Sequence, residues 1–282
     1  SILLGAAEIL YELRNSLPKP IKLIFQPGEE KNPGGATYMI KDGVLENPTV
    51  SKMFALHVFP DMEVGNVGFK EGVYMASCDE IYITIKGKGG HAAIPNECIN
   101  PIIIGANVIQ STKEIITKKC DPKTPCILSF GHFEAIGETN IIPSVAKLKG
   151  TFRTMNEKWR KEGLKLITKT AENIAVSFGG KAKVEISNGY PYLKNNSELT
   201  SSMKVAAEKL LGKSKVHELP LRMTSEDFAF YSQKVPVCFF RLGVKNENKG
   251  IQFGLHNSKF NIDDEALKIG MQMMALAPFS TP

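Results

Sequence analysis

The stretch that decides the fold is Ile21-Lys22-Leu23-Ile24-Phe25-Gln26-Pro27-Gly28-Glu29-Glu30. Its first half, Ile21–Phe25, is a short apolar run that ends at turn residues, which predicts a buried β-strand. Its second half places two adjacent carboxylates, Glu29 and Glu30, at the carboxyl end of that strand, where open α/β sheets hold their ligands. Adjacent like charges need compensation, which a bound metal and a held water would supply. A solvated acidic loop is the alternative interpretation.

The segments on either side alternate between helical and extended patterns. Apolar residues at helical spacing, ended by Pro18 and Pro20, predict a first helix over Ser1–Leu17. The other predicted elements before residue 78 and after residue 190 are helices at Gly34–Leu45, Ser197–Leu211, Ser225–Gln233 and Asp263–Ala275, and strands at Met53–Val58 and Val237–Leu242. Such alternation predicts an α/β fold with a mostly parallel sheet and helices on its faces.

The pattern changes near residue 78. Ile81, Ile83 and Ile85 alternate with polar residues, as in a half-buried strand. The elements that follow are a helix from Asn100-Pro101 to about Lys118, strands at Cys126–Phe133 and Val145–Arg153, a helix at Glu157–Phe178 and a strand at Lys183–Ser187. The order β-α-β-β-α-β is the ferredoxin-like split unit. We therefore predict an inserted domain over residues 78–188, with residues 1–77 and 189–282 forming the other domain.

Composition excludes several classes of protein. The chain is 43% hydrophobic and 23% charged with a net charge of +6, and its lysines are scattered, so we expect no nucleic-acid partner. No apolar run reaches the ~18 residues of a membrane span. Irregularly spaced cysteines favour idle thiols in a reducing, cytoplasmic setting over a disulfide framework; these are Cys78, Cys98, Cys120, Cys126 and Cys238. A targeting signal upstream of Ser1 is left open.

Further candidate residues lie at the ends of predicted strands and in loops. His57 ends the strand that follows the acidic turn, and imidazole beside carboxylate suits a zinc-type site; a hydrogen-bonded core histidine is the alternative. His256 lies in a loop before the last helix, and His91 lies in a glycine-rich turn. Asn140 offers an amide donor and Arg153 a forked cation for a carboxylate, unless they are a turn residue and a surface residue.

The order and spacing of these motifs resemble one family from residue 1 to about residue 275. The phrases LIFQPGEE, GGATYMI, ALHV, GKGGHAA, TNIIP, GTFRT, SEDFAFY and LHN have counterparts in the metallopeptidase family of aminoacylases, hippurate hydrolases, auxin-conjugate hydrolases and related carboxypeptidases. Within it the chain is similar to the N-acyl amino acid amidohydrolase branch. The resemblance implies a dizinc-peptidase-like catalytic domain with an inserted lid and dimerisation domain. It implies metal-dependent hydrolysis of hippurate-like N-acyl amino acids to a carboxylic acid and a free amino acid.

Residue roles follow from the resemblance where motifs match. Glu29 would be the general base, and the metal ligands would be Glu30, His57 and His256. His91 would reach the active site of a partner subunit in a homodimer and stabilise the oxyanion. Asn140 and Arg153 would bind the substrate carboxylate. Glu226 and Asp227, in the SEDF phrase, receive no role.

The sequence departs from the family pattern at one point. Relatives carry a HxCGHD motif just upstream of the helix that begins here near Ile2, and its cysteine and second histidine are metal ligands. Two ions, of zinc, manganese, cobalt or nickel, would serve the complete enzyme. Because three ligands are too few for two ions, we expect this chain to bind one ion or none, to hydrolyse poorly, and to expose apolar sheet edges. The alternatives are a carboxypeptidase or dipeptidase of the same family and a non-catalytic binding or dimerisation fragment.

Overall fold

A computed structural model describes residues 1–280. The helices are α1 (Ile2–Glu12), α2 (Gly35–Lys41), α3 (Pro101–Lys119), α4 (Glu157–Ser177), α5 (Ser197–Leu211), α6 (Ala229–Ser232) and α7 (Glu265–Leu276). The strands are β1 (Met53–Glu63), β2 (Val67–Phe69), β3 (Gly72–Met75), β4 (Asp79–Lys86), β5 (Gly90–His91), β6 (Cys126–Glu134), β7 (Ile141–Ile142), β8 (Val145–Thr154), β9 (Lys181–Asn188), β10 (Leu193–Asn195), β11 (Val216–Glu218) and β12 (Val237–Lys245). No helix among residues 1–280 is long and apolar enough to cross a membrane.

The chain divides into two units: unit 1 comprises Ser1–Tyr74, Leu193–Arg222 and Asp227–Pro282, and unit 2 comprises Met75–Tyr192 and Met223–Glu226. Unit 1 contains a four-stranded sheet in the order β1-β12-β2-β11. The pairs β1–β12 and β2–β11 are parallel, and β12–β2 is antiparallel. The sheet is therefore mostly parallel, as the alternating pattern predicts.

Helices α5 and α7 bury their apolar faces in the core of unit 1. Met203 of α5 and Met273 of α7 pack into one cluster with Phe240 and Leu242 of β12, and all four side chains are fully buried. Helix α1 packs in turn on α7, where glycines allow close approach. A Cβ atom at Gly5 would lie 2.3 Å from the Met271 sulfur.

The predicted strand Ile21–Phe25 is wrong, because residues 21–28 form no regular element. A strand exists only where a neighbour completes its hydrogen-bond ladder, and β1, at the edge of the sheet, pairs with β12 alone. The apolar side chains of this segment alternate in exposure, and Phe25 remains 56% exposed. The predicted burial of this run is therefore also wrong, and the run contributes no strand to the described sheet.

Unit 2 is a four-stranded antiparallel sheet in the order β6-β8-β4-β9 with α3 and α4 packed against it. Its order β4-α3-β6-β8-α4-β9 is the predicted split unit, interrupted by the short pair β5–β7. Both helices begin at the asparagine caps that the sequence favours: Asn100 accepts from the Ile102 N–H, and Asn156 accepts from the Trp159 N–H.

Several predicted ends were wrong. The first helix ends at Glu12 and continues as a 3₁₀ turn at Arg14–Ser16. The helix predicted over Ser225–Gln233 is confined to α6, and the helix predicted over Gly34–Leu45 is confined to α2. Residues 42–45 after α2 form turns, and residues 225–228 before α6 form an irregular segment and a turn.

Candidate active site

A buried carboxylate organises the turn that carries Glu29. Asp227 is 1% exposed, and the Gln26 side-chain amide donates to its two oxygens at 2.8 and 2.7 Å. The Tyr231 hydroxyl donates in turn to the side-chain amide oxygen (Oε1) of Gln26 at 2.9 Å. These bonds fix the first residue of the turn to a residue about 200 positions later in the chain.

The start of helix α2 packs around the same carboxylate. The backbone N–H of Ala36 donates to Asp227 Oδ2 at 3.1 Å, so the carboxylate satisfies an N–H of the first turn of the helix. A Cβ at Gly34 would lie 2.6 Å from Asp227 Oδ2, and one at Gly35 would lie 1.7 Å from the Pro27 carbonyl oxygen. The two glycines are thus required by the close approach of the turn, the helix and the carboxylate.

Glu29 lies half-buried beside Asp227. A carboxylate oxygen of each residue lies within 4.8 Å of the other, and the Asp227 backbone N–H donates to Glu29. Burial raises the pKa of Glu29 above its ordinary value, and the charges of Asp227 and Glu30 raise it further. A raised pKa increases the affinity of the Glu29 carboxylate for a proton, which suits a general base.

His57 lies on β1, opposite Arg241 of β12. Its Nδ1 atom is 2.7 Å from the Val58 carbonyl oxygen, so Nδ1 carries the proton and donates. Burial lowers the pKa of His57, and Arg241 lowers it further. The neutral ring therefore keeps a lone pair on Nε2, which is the orientation that metal-binding histidines commonly have.

Glu30 and His256 are exposed, and His256 has a φ of 63°. The charge of Glu30 acts on His57, and the charge of His256 acts on Glu29. The structure therefore brings all four predicted residues of unit 1 into one electrostatic neighbourhood. It does not close a coordination shell: among residues 1–280, the donor atoms of Glu30, His57 and His256 do not all lie within 4.8 Å of one another.

Two arginines that the sequence did not single out lie near His57. Arg241 is 4% exposed, and its Nε donates to the Tyr74 hydroxyl at 3.2 Å. The Arg222 guanidinium lies 4.7 Å from the centre of the Phe59 ring. Both charges lower the pKa of His57, and the same charges act against a cation bound there.

The predicted residues of unit 2 fall into two places. His91 on β5 and Asn140, just before β7, are adjacent, since the Ala92 N–H donates to the Asn140 carbonyl at 2.9 Å. The Ala93 N–H donates to His91 Nδ1 at 3.1 Å, which leaves the ring proton on Nε2 as an exposed donor. Arg153, on β8, donates from Nη1 to the Met223 carbonyl at 3.0 Å.

Comparisons with known proteins show which proteins the chain is similar to. The chain is 34% identical to thermostable carboxypeptidase 1 of Saccharolobus solfataricus, over 98% of its length and 70% of that protein. It is 33% identical to an N-acetylcysteine deacetylase of Bacillus subtilis, over 97% of its length and 69% of that protein. It is 34% identical to IAA-amino acid hydrolase ILR1-like 4 of Arabidopsis thaliana, over 98% of its length and 63% of that protein.

A solved structure of a metal-binding peptidase is also similar to this chain. A dinuclear metal-binding peptidase of Bacillus subtilis superposes with a TM-score of 0.78 at 29% identity, over 99% of this chain and 70% of that one. Fold, relatives and site chemistry together define a metal-dependent amidohydrolase or peptidase. The chain belongs to peptidase family M20/M25/M40, whose model matches residues 1–278. The resemblance found in the sequence is thereby confirmed.

Proposed function

We propose that the protein hydrolyses the amide bond of N-acyl amino acids of the hippurate type, releasing a carboxylic acid and a free amino acid. The observation that carries the proposal is Glu29, a half-buried carboxyl with a raised pKa held against Asp227. The names of two relatives support the substrate class, because N-acetylcysteine and IAA-amino acids are both N-acyl amino acids.

Each residue then has a role. Glu29 takes a proton from the attacking water and gives it to the leaving nitrogen. The exposed Nε2–H of His91 donates to the developing oxyanion. Arg153 and Asn140 hold the carboxylate of the amino acid, for which a guanidinium provides the forked donor geometry.

The predicted ligand residues carry donor groups that bind divalent metal ions. Glu30, His57 and His256 supply a carboxylate and two imidazoles, and the Nδ1 bond of His57 leaves Nε2 available as a ligand. Divalent ions, when bound, would polarise the amide carbonyl and lower the pKa of the attacking water. Because the three side chains are not gathered within 4.8 Å, we propose that this polypeptide holds at most one ion, of zinc, manganese, cobalt or nickel, and turns over slowly.

The proposal extends to assembly and location. We propose a homodimer through unit 2, whose edge strands β6 and β9 leave backbone groups open to pairing. In such a dimer His91 would act in the active site of the partner subunit. The five free cysteines fit a cytoplasmic location.

The test combines metal titration with an assay for released amino acid on N-acetyl and N-benzoyl amino acids. We expect slow, metal-dependent release in the parent and none in Glu29→Gln, whereas Glu12→Gln, an exposed change on α1, behaves as the parent. Two ions per chain with fast turnover would refute the proposed impairment. Binding of N-acyl amino acids without hydrolysis at saturating metal would instead indicate a non-catalytic binding module.

A carboxypeptidase is the second candidate, because a carboxypeptidase is among the relatives. A carboxypeptidase would recognise the carboxylate of its substrate in the same way. Its substrate would be a peptide, which carries a free amino group on the acyl side of the cleaved bond. Matched pairs of substrates separate the two: N-acetyl amino acids against dipeptides with the same C-terminal residue. Preference for the dipeptide would replace the proposed substrate class and leave the assignment of Glu29 intact.

A further inference from the structure

The loop that carries His256 is long and mostly exposed. It connects β12 to α7 over residues 246–264, and most of its side chains face solvent. Segments with few buried apolar contacts are usually the least ordered parts of a protein. His256 nevertheless has a φ of 63°, a left-handed conformation that a residue with a Cβ keeps only where the surrounding structure imposes it. Polar contacts, rather than an apolar core, must therefore hold this loop.

One carboxylate ties the two ends of the loop together. Asp263 is 1% exposed; it accepts from the side-chain amide of Asn246, and the Lys249 ammonium lies 3.1 and 3.0 Å from its two oxygens. Its Oδ1 also accepts from the Glu265 N–H of α7 at 3.1 Å, and its own N–H donates to the Val244 carbonyl of β12 at 3.1 Å. Asp263 therefore joins the end of β12, the start of the loop and the start of α7.

His256 lies in a smaller turn inside this closed loop. The Asn257 N–H donates to the Gly254 carbonyl at 3.3 Å, and the Phe260 N–H donates to the Asn257 carbonyl at 2.9 Å. The Asn257 side chain accepts from the Lys259 N–H at 2.9 Å. These bonds join loop residues only, so they fix the shape of the turn but not its place on unit 1. That place depends on how the ends of the loop are held.

We propose that Asp263 is a positioning residue for His256, which holds the imidazole where it can serve as a metal ligand. The inference rests on the proposed ligand role of His256 and extends it to a residue outside the predicted ligand set. A loop held at its base has less conformational freedom, because its ends no longer have to be brought together. An imidazole that is already in place loses less entropy when it binds an ion, so the Asp263 contacts should raise metal affinity.

Hydrogen exchange of the metal-free protein tests the loop, and calorimetric titration with Zn²⁺ tests the consequence. Asp263→Asn keeps the shape of the side chain and removes its charge. We expect the Asn257 and Phe260 amides to exchange about tenfold faster and zinc affinity to fall about tenfold, as is typical when a contact that orients a ligand is lost. The control is Asp264→Asn, the adjacent exposed aspartate without a capping side-chain bond, which should match the parent in both measurements.

Two comparisons separate positioning from a general loss of stability. Lys249→Met removes one contact of the carboxylate at an exposed position, so it should give the same changes at smaller size, and Lys249→Arg should restore them. In a His256→Asn background, Asp263→Asn should cause no further loss of zinc affinity. A merely structural role would lower the affinity in both backgrounds.

Unchanged exchange of the Asn257 and Phe260 amides in both Asp263→Asn and Lys249→Met would overturn the proposal. Equal losses of zinc affinity with and without His256 would overturn it as well. If the parent binds no zinc, or if His256→Asn leaves zinc binding unchanged, the proposed ligand role of His256 fails instead. Exchange in the loop then still decides whether Asp263 holds His256 in place.

Discussion

Replacing Gln26 by leucine tests whether the Asp227 network positions the turn that carries Glu29. The change keeps the size of the side chain but removes the amide that donates to both Asp227 oxygens and accepts from the Tyr231 hydroxyl. A hydrogen bond to a charged group contributes about 1.5–3 kcal/mol, and a neutral one contributes about 1 kcal/mol. Leucine regains part of this by burying apolar surface, so we expect a net loss of about 2–3 kcal/mol in the free energy of unfolding of unit 1.

The assay is urea unfolding combined with residue-resolved hydrogen exchange. The exchange of the Ala36 amide reports the network directly, because its N–H donates to Asp227. We expect that amide to exchange faster in Gln26→Leu, and unit 2 amides to keep the parent rates. Tyr231→Phe should cost about 1 kcal/mol alone and almost nothing in the Gln26→Leu background, since the hydroxyl would have lost its acceptor.

The matched control is Gln252→Leu, an exposed glutamine of the same unit. If Gln26→Leu changes the unfolding free energy by no more than this control, or if Ala36 exchange is unchanged, the network does not hold the turn. If the losses in unfolding free energy from Gln26→Leu and Tyr231→Phe simply add in the double variant, the two side chains act independently. The hydrogen bond from the Tyr231 hydroxyl to Gln26 would then contribute nothing to the network.

Three further predictions follow from single contacts. In the metal-free protein, Glu29→Gln should have the same unfolding free energy as the parent below pH 4.5, the ordinary pKa of a glutamate, and a larger one as pH rises. The reason is that a group whose pKa is raised by folding destabilises the folded state once it ionises. Unfolding midpoints across a pH series test the sign, and a difference that does not change with pH would contradict the prediction. Arg160→Met should destabilise unit 2 by about 3–5 kcal/mol in urea, since it leaves the Asp79 carboxylate, 0% exposed, without its ion-pair partner at 2.7 Å, while Lys161→Met should have little effect. Gly35→Ala should displace the acidic turn and weaken metal binding by calorimetry, because its Cβ would lie 1.7 Å from a carbonyl oxygen; Gly131→Ala, where a Cβ meets nothing within 4 Å, is the control.

The elements that the sequence predicted best are those whose signals are local. Helix α3 was expected from Asn100-Pro101 to about Lys118 and runs over Pro101–Lys119. Helix α5 was expected over Ser197–Leu211 and has those limits. In both, an asparagine cap and a helical apolar period coincide, so the first turn and the buried face are encoded in consecutive residues.

The elements that were missed depend on partners elsewhere in the chain. The strands β2 and β11 have three residues each, and they form by pairing: β2 with both β12 and β11, and β11 with β2. No period can be recognised in three residues. The opposite error at Ile21–Phe25 has the same origin, because a short apolar run does not specify the neighbouring strand that would complete its hydrogen-bond ladder.

The residues of the candidate site also fall into two groups: those predicted from a local sequence phrase and those whose partners are distant in the sequence. Glu29, Glu30 and His57 were predicted as site residues because each lies in a phrase that resembles the family and at the end of a predicted strand. The role of Asp227 was missed because its partners Gln26 and Ala36 lie about 200 residues away. Only the SEDF phrase drew attention to it. Arg241 was missed because, within the apolar strand β12, its register opposite His57 emerges only when the strands pair.

The charges of unit 1 divide the site into two sides with different affinities for a cation. Glu29 and Asp227 place two carboxylates within 4.8 Å of each other, and burial, followed by the charge of Asp227, raises the pKa of Glu29. A cation nearby would relieve the repulsion between the two carboxylates. At His57 the balance is reversed, because burial, Arg241 and Arg222 oppose the ionised ring, and only the Val58 carbonyl and Glu30 are given as favouring it. The field that keeps His57 neutral, and so chemically able to bind a metal, also opposes the ion it would bind. An ion held by Glu30, His57 and His256 should therefore bind weakly, because stable binding at His57 requires more negative charge than the described residues bring to it.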